Sequence, residues 1–207
     1  MTRPIRDAVT VAITGASGIA YGLRLIKCLN AQEIQTHVLI SKAGRAVAEL
    51  ENNFRLPEQA DKIHALLSQE LSLHPKLVRV YDSEDWNSPL ASGSSAPQRM
   101  VICPCSMGTL AAVAGSHSNN LIERGADVVL KERGQLIVVP REAPLSSMHL
   151  EHMLNLSRAG ATILPASPAF YHHPSNITEL LDYIVARILD HLGVEHDLSE
   201  RWGSTGT

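Results

Sequence analysis

Ala8-Val-Thr-Val-Ala-Ile13 runs into Thr14-Gly-Ala-Ser-Gly-Ile-Ala-Tyr-Gly22, and from Tyr21 to Gln32 apolar residues recur at helical spacing. A short β-branched run, a glycine-rich turn and an amphipathic stretch read as strand, loop and helix. Working outward, Gln35–Ser41 (QTHVLIS) reads as a second strand, followed by helix through Glu51 and another helix over Pro57–Leu71. Further strands are expected at Leu77–Tyr81, Met100–Cys105, Leu136–Pro140 and Ala161–Leu164. Helices are expected from Ser106, over Asn119–Arg133, over Ser146–Ala159 and over Ile177–Leu192. Parallel strands need crossover connections, so short apolar strands alternating with helices imply a parallel sheet covered on both faces. The expected fold is a single-domain, Rossmann-like (flavodoxin-like), doubly wound α/β sheet. Residues 1–207 form one domain with a core over 8–193 and a tail over 194–207. Its ligand crevice lies at the carboxyl ends of the strands.

Composition sets the limits. The chain has 207 residues, 44% hydrophobic and 19% charged, enough for one sizeable core. Two Trp, four Tyr and two Phe make only 4% of it, so Ala, Val, Ile and Leu must fill the interior. A formal charge of -3 with scattered basic residues argues against a nucleic-acid or anionic-membrane surface. No segment reaches the roughly 18 to 20 apolar residues of a membrane span. The run after Arg3 and Arg6 is too short for an export signal. Cys28, Cys103 and Cys105 do not make an even disulfide framework, so a reducing cytoplasm is expected. The loop 82–98, SEDWNSPLASGSSAPQ after Asp82, is long enough to suspect of function and carries Trp86.

Several constellations could carry chemistry. Thr14–Gly18 sits where a strand meets a helix, and free backbone N–H groups there can hold an anion. It reads as a bare turn, a dinucleotide fingerprint or a mononucleotide cradle. Against the second, Ser17 stands at the middle glycine position, and the second strand ends in Ser41 instead of an acid for a ribose. FMN needs only a phosphate cradle and hydroxyl donors such as Ser17 and Ser41. Cys103-Pro-Cys105 lacks further soft ligands at sensible spacing, and His149-x-x-His152 lacks the H-E-x-x-H arrangement, so no metal site is expected. Ser106, Met107, Gly108 and Thr109 open a helix with a second set of donors. Asn119–Arg133 reads as a solvated helix face on composition alone. Arg141 and Glu142 end a strand inside the crevice, where charge is seldom core filler. Pro168–Pro174 follows the last strand in the same position. Arg187 interrupts YIVARIL and is expected to face an anion.

TGASG (14–18), ASGSSAP (91–97), CPCSMGTLAA (103–112), NNLIERGADVVLKER (119–133), PREAPLSSMHLEHM (140–153) and PASPAFYH (165–172) together resemble the UbiX flavin prenyltransferases. The likeness runs from about Val9 to Trp202. It implies transfer of a dimethylallyl group from its monophosphate to N5 and then C6 of reduced FMN, without metal. The product would serve UbiD-type decarboxylases, including those of ubiquinone synthesis. The resemblance places FMN against Gly15, Ala16, Ser17, Ser41, Ser106–Thr109 and Arg141. It places the prenyl phosphate against Lys131, Arg141, Tyr171 and Arg187, with Arg124 and Lys131 entering from a neighbouring subunit of a trimer-based homo-oligomer, a dodecamer. Ser17, Glu51 and Glu142 match the proton-relay positions, and Trp86, Tyr171 and Trp202 the prenyl pocket, where aromatic faces would stabilise cationic carbon. Two rival readings stand beside it: a flavin-dependent decarboxylase of cysteine-containing substrates and a non-catalytic FMN carrier. Pro140-Arg-Glu-Ala, where the decarboxylases carry a PxMN-type segment, argues against the first.

Overall fold

The computed structural model describes residues 7–52 and 54–199. β1 (Val9–Ile13) leads through the glycine-rich loop into α1 (Ile19–Ala31), and β2 (Thr36–Ile40) into α2 (Lys42–Asn52) and α3 (Ala60–Glu70). Then follow β3 (Val78–Tyr81), β4 (Arg99–Cys105), α4 (Met107–Ala114), α5 (Leu121–Lys131), β5 (Gln135–Pro140), α6 (Ser147–Arg158), β6 (Thr162–Ile163) and α7 (Ile177–Leu192). All six strands are parallel, in the order β3-β2-β1-β4-β5-β6. Of the doubly wound orders this is the Rossmann one, with its switch point between β1 and β4.

The sheet divides two aliphatic cores. Val9, Val11 and Ile13 point into one, against Leu25 and Ile26 of α1, Leu67 of α3, and Ile188 and Leu189 of α7. Ala12, Leu39, Met100 and Ile102 point into the other, against Leu110 of α4, Leu121 and Val129 of α5, and Leu156 of α6. Among the described Trp, Tyr and Phe residues only Tyr81 is buried. Each fully buried Leu or Ile contributes roughly 1.5–3 kcal/mol.

Side-chain caps set several helix starts. Ser106, Asn120, Ser146 and Asn176 accept from backbone N–H groups at the openings of α4, α5, α6 and α7. α1 begins two residues before the expected Tyr21, because Gly18 adopts a left-handed φ of 104° and ends the loop there. A Cβ at Gly18 would also lie 2.9 Å from the Tyr21 ring. α3 begins at Ala60, beyond Pro57.

Candidate active site

β1 and β4 are neighbours whose connections leave to opposite faces, so a crevice opens beyond their carboxyl ends. Thr14 ties the two ends together. Its hydroxyl donates to the Pro104 carbonyl (2.9 Å) and accepts from the Ser106 N–H (2.8 Å), while its own N–H reaches Pro104 O (3.1 Å). The loops that follow face the opening. The amides of Gly15, Ser17, Met107 and Gly108 have no hydrogen-bond partner among the described residues. The missing Cβ of Gly108 would meet nothing within 4 Å, so the first turn of α4 presents open backbone. Gly15 instead lies tight on α2, where a Cβ would come within 2.4 Å of the Ala43 Cβ.

The α1 N-terminus does not stand open as the sequence suggests. Glu51, from the end of α2, places its carboxylate there and accepts from Gly18 N (3.0 Å) and Ile19 N (3.2 Å). A carboxylate at a helix N-terminus satisfies the free donors and the positive dipole end. Glu51 therefore sits beside Ser17, whose hydroxyl is unpaired among the described residues and whose carbonyl accepts from Arg141 Nε (3.1 Å). Arg141 reaches from the end of β5 across the mouth of the crevice, with Glu142 next to it, exposed and bonded only to its own loop through Ala143 N (3.1 Å). Ser41 caps α2 through Gly44 N (2.9 Å), and Ser106 caps α4 through Thr109 N (3.3 Å). Ala16 is buried beneath the loop. One place thus collects Gly15–Gly18, Glu51, Ser106–Thr109, Arg141 and Glu142.

The other expected residues that the structure describes come from separate elements. Tyr171, 53% exposed on the loop after β6, bonds the Tyr183 hydroxyl of α7 (3.4 Å) with its ring at right angles to it, and the His172 ring stacks on Tyr183. That bond and burial push the Tyr183 phenol above its ordinary pKa. Arg187 does not break the apolar face of α7. Ile184, Val185, Ile188 and Leu189 form the buried stripe, and Arg187 turns to solvent with Asp190 as its anionic partner (2.7 Å). Trp86, 44% exposed, stands on the loop after β3, the edge strand two places from the switch point. Arg124 bonds Ala91 O (3.0 Å) and Asp127 (2.9 Å), and Lys131 pairs with Glu132. Because α5 runs back toward the start of β5, Lys131 lies at the amino end of the sheet, about 15 Å of helix away from the α5 N-terminus. Trp202 lies outside the described residues.

Cys103 and Cys105 pack in opposite cores, separated by a register shift between Ile102 and Cys105, and burial pushes both thiols above their ordinary pKa. They form no chelating pair. Among the described residues no group of three His, Cys, Asp or Glu side chains could hold a metal ion. A cleft of about 610 Å³ at the amino ends of the strands includes Asp7, Arg99 and Val194, but Arg99 is already bonded to the carbonyls of Asp7 and Leu192. The free amides of Gly15, Ser17, Met107 and Gly108 are at the opposite edge.

A family model described as Flavoprotein matches residues 3–189. The chain is 53% identical over 197 residues to the flavin prenyltransferase UbiX of Pseudomonas aeruginosa, spanning 95% of this chain and 94% of that one. It belongs to the UbiX flavin prenyltransferase family. Among solved UbiX structures, AnUbiX (PadA1) in complex with FMN and dimethylallyl pyrophosphate superposes with a TM-score of 0.85 at 36% identity, covering 97% of this chain and all of that one. The dodecameric FMN-dependent UbiX-like decarboxylase of Escherichia coli O157:H7 superposes at 0.83 with 37% identity, covering 95% and 100%. The Thr14 hydroxyl bonds and the His172–Tyr183 stack are features of this structure that sequence reading did not single out. A hydroxyl directly after the apolar end of β1 was the available signal for the first.

Proposed function

We propose that this protein joins a dimethylallyl group from dimethylallyl monophosphate to N5 and C6 of reduced FMN, making prenylated FMN for UbiD-type decarboxylases. The observation that carries the reading is the crevice at the switch point, lined by unpaired amides of Gly15, Ser17, Met107 and Gly108 under the Arg141 guanidinium. Those residues fit FMN: open backbone at Gly108 admits a flat group, and Ser17, Ser41, Ser106 and Thr109 supply hydroxyls. FMN supplies the two nucleophilic ring positions. Arg141 at the crevice mouth, with Tyr171 and Arg187, holds the prenyl phosphate and neutralises it as it leaves, in place of a metal. Ser17, Glu51 and Glu142 surround the reacting end and move the proton.

Arg124, Lys131 and the serine-rich loop at 91–95 occupy the flank of α5, so they serve the crevice of a neighbouring copy in a trimer-based assembly. Trp86 and Trp202 close the prenyl pocket in that assembly. Exposed Leu145, Met148, Leu150 and Leu154 on and beside α6 supply apolar surface for it. No described helix is long and apolar enough to cross a membrane, and Cys28, Cys103 and Cys105 are free, which is compatible with a cytoplasmic location.

Anaerobic incubation with reduced FMN and dimethylallyl monophosphate is expected to yield a flavin heavier by one five-carbon unit, at the same rate with a chelator present. Unmodified FMN beside an active control would overturn the reading. The Escherichia coli relative's description as a decarboxylase keeps a second reading in play. Release of carbon dioxide from a cysteine-containing peptide, with no prenylated flavin, would select it.

A further inference from the structure

Thr14 is 1% exposed, one residue beyond the carboxyl end of β1. Its hydroxyl is nonetheless fully used, donating to Pro104 O at 2.9 Å and accepting from Ser106 N–H at 2.8 Å, across about ninety residues of sequence. The two bonds differ in what their loss would do. Pro104 O also accepts from the Thr14 N–H at 3.1 Å, so it stays paired without the hydroxyl. The half-buried Ser106 N–H would lose its acceptor, and a donor orphaned there is costlier than an acceptor that stays paired. Ser106 is the cap of α4: its Oγ accepts from Thr109 N and meets the Thr109 hydroxyl at 3.1 Å. The Thr14 hydroxyl therefore sets the height of the α4 arm of the crevice against the Gly15–Ser17 arm.

We propose that Thr14 is a positioning residue for the flavin, holding the two arms of backbone donors at the spacing the flavin needs. The inference rests on the functional reading above. It concerns acceptor binding, so removal of the hydroxyl acts on FMN and leaves the prenyl donor alone.

The test compares Thr14→Val, which keeps the shape, with Thr14→Ser, which keeps the hydroxyl, and with Thr14→Ala as a second variant lacking it. FMN affinity is read by flavin fluorescence without prenyl donor, and KM is measured separately for FMN and for dimethylallyl monophosphate. Thr14→Val and Thr14→Ala are expected to weaken FMN binding about tenfold or more, the effect of one orphaned donor. KM for the prenyl donor should stay within about twofold, and Thr14→Ser within about threefold of the parent for both substrates. Wild-type FMN affinity in Thr14→Val and Thr14→Ala, even with a lowered melting temperature, overturns the proposal alone. So does a Thr14→Ser protein as weak as Thr14→Val. Failure of the parent protein to bind FMN overturns the functional reading and the proposal together.

Discussion

The crevice beyond β1, β4 and β5 and the flank of α5 are both polar, but they are built in opposite ways. In the crevice, backbone donors at Gly15, Ser17, Met107 and Gly108 are unpaired, and the strand ends that carry them are locked by a buried hydroxyl. On the flank the side chains are already engaged: Arg124 with Ala91 O and Asp127, Lys131 with Glu132, Ser92 with Ser94. A rigid cradle of free amides suits a flat, tightly held acceptor. Exchangeable ion pairs suit an anion that must arrive and leave, and an exposed pair such as Lys131–Glu132 is worth little and breaks readily. Under the proposed function the two halves of the reaction draw on separate parts of one protomer, and assembly would bring one copy's flank to another copy's crevice.

The strongest way to break that comparison is subunit mixing. Arg141→Ala and Lys131→Ala are each expected to slow turnover by roughly two to three orders of magnitude, as loss of a transition-state donor does. If the residues act from different copies, reassembling the two variants together regenerates intact sites and raises turnover at least about tenfold above either parent. Mixed assemblies, verified by mass, that stay as slow as the parents would place both residues in one copy's site and remove the distinction.

A second test divides the crevice itself. Glu51 lies on the α1 N-terminus and Glu142 is bonded only within its own loop, so they differ in how firmly they are held. Glu51→Gln and Glu142→Gln are expected to slow a covalent step by about a hundredfold while flavin stays bound. Single-turnover rates at full strength in both variants would take them out of the proton relay.

What could be read from the chain divides along the same lines. Short β-branched runs bounded by Gly, Ser and Asn caps made the strands and helices legible, because each signal lies within a few residues. The contacts that shape the crevice are not local. Glu51 meets Gly18 from 33 positions away, and Thr14 meets Ser106 from 92. Nothing in TGASG says that its helix end is already filled by a carboxylate. The register shift that parts Cys103 from Cys105 likewise exists only in the pairing of β4 with β5. Arg187 interrupts the apolar run of YIVARIL and meets an anion, Asp190, but only the buried stripe Ile184, Val185, Ile188 and Leu189 shows which side of α7 it leaves free.

The smallest expected effect reaches the flank through its foundation. His37 is 2% exposed on the side of β2 that carries Leu39, in the core that also seats Leu90 of the serine-rich loop. Its Nδ1 meets the Tyr81 hydroxyl at 3.0 Å, its Nε2 has no partner, and the Arg79 guanidinium lies 4.9 Å from the Tyr81 ring centre. Burial, and then Arg79, lower its pKa from 6.5 to about 4. The folded protein therefore resists a proton that the unfolded chain accepts. Above pH 6.5 both states are neutral at this position and it adds no pH dependence; as pH falls from 6.5 toward 4 stability is lost, and below 4 the loss levels off. Between pH 7 and pH 5 the loss is about 2 kcal/mol. Urea unfolding at the two pH values should show that drop in the parent and a drop smaller by this amount in His37→Gln, which cannot titrate. Early acid exposure of the 82–98 loop to protease, before any loss of FMN binding, would sharpen the contrast between a titratable seat under the flank and a crevice clamped by a hydroxyl. An identical drop in both proteins would break it, because the acid sensitivity would then belong to other groups.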